Sequence, residues 1–264
     1  VFVDSHCHLS FPGLAEQLPV IREEMRTADV GAALCICTTL EEFEDVHALA
    51  CSDDNFWASA GVHPDNEGVR EPSLGDLLQL AARPKVVAIG ETGLDYYRLN
   101  GRRVAEMEWQ RERFRVHIRA ARHTSLPLVI HTRSASQDTL DVLSAEGKGE
   151  VRGVFHCFTE TLAVARAALD LGFYISFSGI LTFKNAQDLR EVASFVPLDR
   201  CLIETDSPYL APAPFRGKTN TPALLPWVAK QVAELKGMPV EDIARITTHN
   251  FETLFAVSTT GNAA

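Results

Sequence analysis

The chain has 264 residues, of which 46% are hydrophobic and 23% charged, a balance that supports a sizeable buried core and excludes a disordered chain. Its net charge of −10 excludes a broad basic face of the kind that tracks a nucleic-acid backbone. No apolar run approaches the roughly 20 residues needed to cross a bilayer, so no membrane association is expected.

The opening Val1-Phe2-Val3-Asp4-Ser5-His6 has no basic region leading into an apolar stretch, and no signal peptide is expected there. From this point short apolar runs alternate with longer amphipathic stretches. In chain order, Phe2 to His8 is followed by Leu14 to Asp29, Ala32 to Thr38 by Glu41 to Ser52, and Phe56 to His63 by Ser73 to Arg83. Val86 to Glu91 precedes Val104 to Thr124, Pro127 to His131 precedes Ser134 to Glu146, and Gly153 to Phe158 precedes Thr161 to Leu171. Tyr174 to Ile180 leads into Asn185 to Phe195, and Cys201 to Asp206 into Pro222 to Lys236. Each short run reads as a strand buried on both faces, which a parallel sheet requires, and each longer one as a helix. Two short helices, Val240 to Thr247 and Phe251 to Ala256, are expected after Gly237 and Pro239. The tail from Ser258 to Ala264 is small and polar and is expected to fray.

Strict alternation of eight strand–helix pairs means either a (β/α)8 barrel or a doubly wound sheet. With no repeat or linker to divide it, residues 1–257 read as one domain. The six cysteines form no CxxC pair, and five of them lie in the apolar runs, where a free thiol behaves as a small hydrophobe. A reducing, cytoplasmic setting is the corresponding expectation. Strand alternation turns Cys7 and Cys157 away from the face that carries their histidine neighbours.

Polar residues gather at the C-terminal ends of the apolar runs. His6 and His8 are two apart on the first strand and share a face. The third run ends in His63, the fourth in Glu91 and the fifth in His131, while the sixth carries His156 and the eighth Glu204 and Asp206. In a barrel, such residues converge on the face where active sites are built. Buried carboxylates and imidazoles need partners, and no Arg or Lys lies beside Glu91, Glu204 or Asp206 within the runs, so a divalent metal is the natural counterion. Six candidate ligands, His6, His8, Glu91, His131, His156 and Asp206, are too many for one open metal and suit two sharing a carboxylate. Glu91 is the best bridge, because a carboxylate offers two oxygens. Imidazole and carboxylate ligands are compatible with Zn, Mn, Fe, Ni, Co or Mg, and such pairs activate water for hydrolysis.

At these positions the chain resembles the TatD family of metal-dependent deoxyribonucleases, within the amidohydrolase-like barrel superfamily. The resemblance runs through Val3-Asp4-Ser5-His6-Cys7-His8-Leu9, Gly61-Val62-His63-Pro64 and Ile89-Gly90-Glu91-Thr92-Gly93-Leu94-Asp95-Tyr96-Tyr97. It continues through Val129-Ile130-His131-Thr132-Arg133, Phe155-His156-Cys157-Phe158-Thr159, Glu204-Thr205-Asp206-Ser207-Pro208-Tyr209-Leu210, Arg216-Gly217-Lys218 and Asn250-Phe251. It implies a (β/α)8 TIM barrel with short C-terminal helices, one metal on His6, His8, Glu91 and Asp206, and a second on Glu91, His131 and His156. His63 and Glu204 would assist the substrate or water, so that Glu91, Asp206, Glu204 and His63 form the catalytic set. The chain departs from the family form at Glu160-Thr161 and at Thr219-Asn220-Thr221-Pro222, changes that bear on substrate preference rather than on the ligands.

Two divalent ions on four neutral histidines and two carboxylates would leave the centre at about +2, enough to draw a phosphodiester to an acidic protein. Arg98, Arg102, Arg103, Arg133, Lys184, Arg216 and Lys218 lie in loops expected at the mouth, and Arg133 and Arg216, with His63, are the candidate substrate contacts. Tyr96, Tyr97, Phe183 and Phe215 could stack on single-stranded bases. The expected activity is 3′ to 5′ exonuclease action on DNA, with RNA as a further substrate and no obligate protein partner. Hydrolysis of a carbonyl substrate at the same centre, such as an aminoacyl-tRNA ester or a small cyclic amide, is the alternative. A non-catalytic metal-binding barrel is a third.

Overall fold

The computed structural model describes residues 1–259. Eight parallel strands alternate with helices. They are β1 (Phe2–Cys7), β2 (Val30–Cys35), β3 (Phe56–Ala60), β4 (Val86–Asp95), β5 (Leu128–Arg133), β6 (Gly153–Phe155), β7 (Tyr174–Phe177) and β8 (Cys201–Ile203). Between them run α1 (Leu18–Thr27), α2 (Phe43–Cys51), α3 (Leu74–Ala81), α4 (Glu108–Thr124), α5 (Ser136–Gly147), α6 (Leu162–Asp170) and α7 (Gln187–Phe195), with α8 (Leu225–Lys236) and α9 (Val240–Phe255) after the last strand.

The sheet order is sequential from β1 to β8, which removes the doubly wound alternative. Asp206 and His8 close the ring by donating their N–H groups to His6 O and Ser207 O, at 2.9 and 2.8 Å. The result is a nearly closed (β/α)8 barrel. Local signals set several boundaries: Ser73 and Asp76 cap α3 reciprocally, and Gly237 ends α8 at a φ of 65°.

Buried side chains form two layers. Val3, Leu34, Trp57, Val87, Val129, Val154, Tyr174 and Leu202 pack together as one cluster, while a larger cluster lies between the strands and the helices. Alternation continues the first cluster from Val129 to His131, from Val154 to His156 and from Leu202 to Glu204, so this cluster is the floor beneath the polar strand ends. Phe251, Leu254 and Phe255 of α9 belong to the same cluster, with the Phe251 and Trp57 rings 5.7 Å apart.

Three expectations need correction. The two short C-terminal helices are one continuous helix, α9. No breaker separates Thr247 from Phe251, and Asn250 satisfies its side chain outside the helix by donating to Leu198 O and Cys201 O. The third, sixth, seventh and eighth strands are each three residues shorter than their apolar runs, whereas the fourth runs on to Asp95. Two of the short strands end because the chain turns left-handed just beyond them, at Cys157 (φ 42°) and Asp206 (φ 56°). The start of the tail is tied down, since the Thr259 backbone N–H and hydroxyl both bond Glu252 Oε1. The rest of the expected tail, residues 260–264, lies outside the described residues.

Candidate metal centre

The floor residues lead up to a cluster of imidazoles and carboxylates that is almost entirely buried. On the β1 and β8 side, His6 Nε2 lies 3.3 Å from His8 Nε2, 3.4 Å from Glu91 Oε2 and 3.5 Å from Asp206 Oδ1. His8 Nε2 is 3.4 Å from Asp206 Oδ1 and 3.9 Å from Glu91 Oε2. Ligand atoms placed tetrahedrally at the usual metal–nitrogen bond length are about 3.4 Å apart, so these four donors have the spacing of a coordination shell.

Around the other oxygen of Glu91 the arrangement repeats. Oε1 is 3.3 Å from His63 Nε2, 3.3 Å from His131 Nδ1 and 2.8 Å from His156 Nε2. Three donor groups fit one ion each in reach: His6, His8 and Glu91; His6, His156 and Asp206; and His63, Glu91 and His131. All six expected ligands are therefore brought together, and His63, assigned by resemblance to substrate or water, sits among the donors. His156 stacks on His6, with ring centroids 3.8 Å apart, and falls in the group of His6 and Asp206.

The charge balance and the unmet hydrogen bonds both fit a cation. Among the described residues, every ion pair of Glu91, Asp206 and Glu204 is with an imidazole. Buried nitrogen or oxygen atoms at His6 Nδ1, His8 Nδ1 and Glu204 Oε2 have no hydrogen-bond partner among the described residues. Burial opposes charge on Glu91, but His156, His63, His6 and His131 outweigh it and hold its carboxyl well below the usual range. Burial lowers His63, with His131 adding to the effect.

Supporting residues fix these donors. Glu204 Oε1 is 3.2 Å from His156 Nδ1, and the fully buried Asp4 accepts from the Thr205 N–H and hydroxyl at 2.9 and 2.5 Å. Burial raises the Asp4 carboxyl to about 7. Asp95 Oδ2 lies 2.9 Å from His131 Nε2, leaving Nδ1 toward Glu91, an arrangement common behind metal-bound histidines. Sequence reasoning passed over Asp95, although Glu91, Gly93 and Asp95 share one face by alternation. Gly93 has a φ of 133°, and a Cβ there would run into the His131 carbonyl, so only glycine lets the two strands approach.

From outside the barrel, α4 reaches the His63 loop. Arg113 Nη1 donates to His63 O at 2.7 Å and to Asn66 O at 2.8 Å, and His117 Nε2 accepts the Val62 N–H at 3.0 Å. Asn220, in the segment that departs from the family form, donates from Nδ2 to Thr205 O and Tyr209 O at 2.9 and 2.7 Å, pinning the loop of Asp206.

Two expectations at the mouth are corrected. Cys157 is not turned away: its strand has already ended, its thiol lies 3.3 Å from Ser178 Oγ, and burial together with Asp206, Glu204 and Glu91 holds it well above its ordinary value. Tyr96 is no stacking surface, because it is buried with its hydroxyl donating to Asp138 Oδ2 at 2.8 Å. Tyr97 is exposed beneath Arg133, Arg216 lies over Phe183, and Phe215 packs edge-on against Trp227. Arg102 and Arg103 are neutralised by Glu67 and Glu106. Tyr209 and Phe11, which sequence reasoning did not single out, flank His8, with Phe11 stacked at 4.6 Å.

The family described as TatD related DNase matches residues 3–256. The uncharacterized metal-dependent hydrolase YcfH of Escherichia coli K12 is 47% identical, over 97% of this chain and 96% of that protein. The 3'-5' ssDNA/RNA exonuclease TatD of Escherichia fergusonii is 32% identical, over 88% and 90%. Among solved structures, that of the TatD homologue YJJV from Escherichia coli superposes with a TM-score of 0.89 at 30% identity, covering 97% of this chain and 98% of that one. No helix among the described residues is long and apolar enough to cross a membrane.

Proposed function

The chain belongs to the TatD-related family of metal-dependent hydrolases, and from that premise we propose that it is a two-metal phosphodiesterase that shortens DNA strands from the 3′ end, with RNA as a further substrate. The observation that carries this reading is the division of Glu91, whose Oε2 faces His6 and His8 while Oε1 faces His63, His131 and His156. One carboxylate with donors on both sides is what a pair of ions sharing a bridge requires. Bound there, divalent ions would activate water and neutralise charge on a phosphoryl oxygen.

The chain's own groups divide the remaining work. Among the three carboxylates, Asp206 has 14% of its side chain exposed, against 3% for Glu91 and none for Glu204. Asp206 is therefore the group that can take a proton from water entering at the mouth. Glu204 cannot reach solvent and acts on His156, holding Nδ1 so that Nε2 faces Glu91. His63 and His131 are each 18% exposed and are the imidazoles nearest to an entering phosphate. Arg133 and Arg216 supply phosphate contacts.

The test is product analysis on a 5′-labelled oligonucleotide with protein stripped of metal and reloaded with Mg, Mn, Zn, Ni, Co or Fe. A ladder shortening from the 3′ end with release of nucleoside monophosphates is expected. An intact strand with every metal, alongside hydrolysis of an aminoacyl ester or cyclic amide, would overturn the reading.

A further inference from the structure

Arginines in the loop after β4 and on α4 are mostly spent on carboxylates. Arg102 pairs with Glu67, Arg111 with Glu108 and Asp138, and Arg113 with Glu71. Arg133 differs: among the described residues its guanidinium makes no ion pair or hydrogen bond, and it lies 3.7 Å from the centroid of the Tyr97 ring. A guanidinium stacked in this way keeps its N–H edge free for an anion. Tyr97 is 60% exposed, and Arg133 covers only one face of its ring.

The pair is joined to the metal-donor cluster through a single carboxylate. Asp95 Oδ1 accepts the Tyr97 N–H at 2.9 Å, while Oδ2 holds His131 Nε2 at 2.9 Å. The Tyr96 N–H donates to Arg133 O at 2.9 Å, locking the two loop starts together. Arg133 lies two residues beyond His131 on β5 and shares its face, whereas Thr132 points outward to Thr139. Any phosphate that reaches His131 therefore has the Arg133–Tyr97 pair as its immediate neighbour. Arg216 and Phe183 form a similar pair, but Phe183 is packed against the core.

Resting on the nuclease reading above, we infer that Tyr97 and Arg133 form a nucleotide subsite next to the reacting phosphate, with a base stacked on the open face of Tyr97 and the neighbouring phosphate on Arg133. A base can reach that face only when it has left its own stack, so the subsite selects single strands and frayed ends over closed duplex. Stacking reads no base edge, so little sequence preference follows.

The subsite predicts an energetic coupling between Tyr97 and one base. The measurement is fluorescence anisotropy of short labelled DNA single strands closed at the 3′ end by cleavage-resistant phosphorothioate links, titrated with the purified, metal-loaded protein. Tyr97→Ala and Arg133→Ala are each expected to weaken binding about ten-fold, with Tyr97→Phe recovering most of the loss and Arg133→Lys little of it. Removing individual bases from the strand in turn should weaken wild-type binding at one position and leave Tyr97→Ala unaffected there. Arg166→Ala, which removes a similar pair with Phe195 on the barrel flank, should change nothing. If the wild type binds and shortens strands but Tyr97 and base removal are additive at every position, the subsite is overturned while the nuclease reading stands. If the wild type neither binds nor shortens any strand, the nuclease reading falls and the subsite with it.

Discussion

His117 carries a pH-dependent share of the stability that can be isolated by one substitution. It is fully buried on α4, with Nδ1 2.8 Å from Arg113 O and Nε2 accepting the Val62 N–H at 3.0 Å. Both neighbours suit a neutral ring with its proton on Nδ1, because a second proton on Nε2 would face another donor. Burial and the Arg113 charge lower its pKa to about 4, against the opposing effects of the Arg113 carbonyl and Glu71. Above the unfolded value near 6.5 neither state binds this proton, and below it the unfolded chain gains a proton that the folded ring refuses. Stability is therefore full above pH 6.5 and falls by roughly 1.4 kcal/mol per unit, about 3 kcal/mol in all, until the folded ring titrates near pH 4. His117→Gln keeps an acceptor for Val62 but cannot titrate. Urea unfolding of both proteins between pH 7.5 and 4.5, under identical metal conditions, cancels the other titrations. The advantage of the wild type at pH 7.5 should shrink by 2 to 3 kcal/mol at pH 4.5, on the order set by the same linkage. Parallel curves would refute the reasoning. So would a ring resonance of His117 that titrates near 6.5 in the folded protein.

Glu91→Ala should lose most bound metal and activity while circular dichroism and the unfolding transition still show a folded barrel; two retained metals per chain would refute the bridge. Asp95→Asn should lower metal affinity at the His131 side by roughly 10- to 100-fold, read by competitive chelation, since an outer carboxylate orients its histidine. His63→Ala should reduce metal content as well as rate, because His63 lies among the donors; unchanged content with a reduced rate would return it to a substrate contact. Gly93→Ala should cost activity and stability together, because the new methyl group meets the His131 carbonyl; an unchanged melting temperature would refute that clash.

The barrel was legible because each strand is buried on both faces and each helix on one, so the hydrophobic period alone separates them. The donor cluster was legible because the polar residues fall at one end of successive runs. What escaped depends on where alternation stops. β4 runs on to Asp95, and that extension puts Asp95 on the Glu91 face, where its Oδ1 holds the Tyr97 N–H, while Tyr96 is buried beside Asp138. β6 ends before Cys157, so alternation no longer governs its thiol. Arg113 and His117 sit on a helix whose pattern records only burial, and their bonds to the His63 loop span about 50 residues of sequence, beyond any local period.

On the proposed nuclease reading, the net charge of −10 and a polyanionic substrate are reconciled by where the charges are used. On the flanks, arginine and carboxylate largely cancel, as along α4, where Arg111, Arg115 and Arg119 each meet a glutamate. At the mouth, Arg133 and Arg216 are held on aromatic rings instead, with no carboxylate partner among the described residues. Below them the carboxylates of the centre face imidazoles alone, so their negative charge would hold divalent cations there. On that nuclease reading, an acidic exterior would repel the length of a duplex while the mouth would accept a strand end. The salt dependence of binding should accordingly be shallow, set by the few phosphates that enter, rather than the steep slope of a protein that neutralises a whole face of DNA.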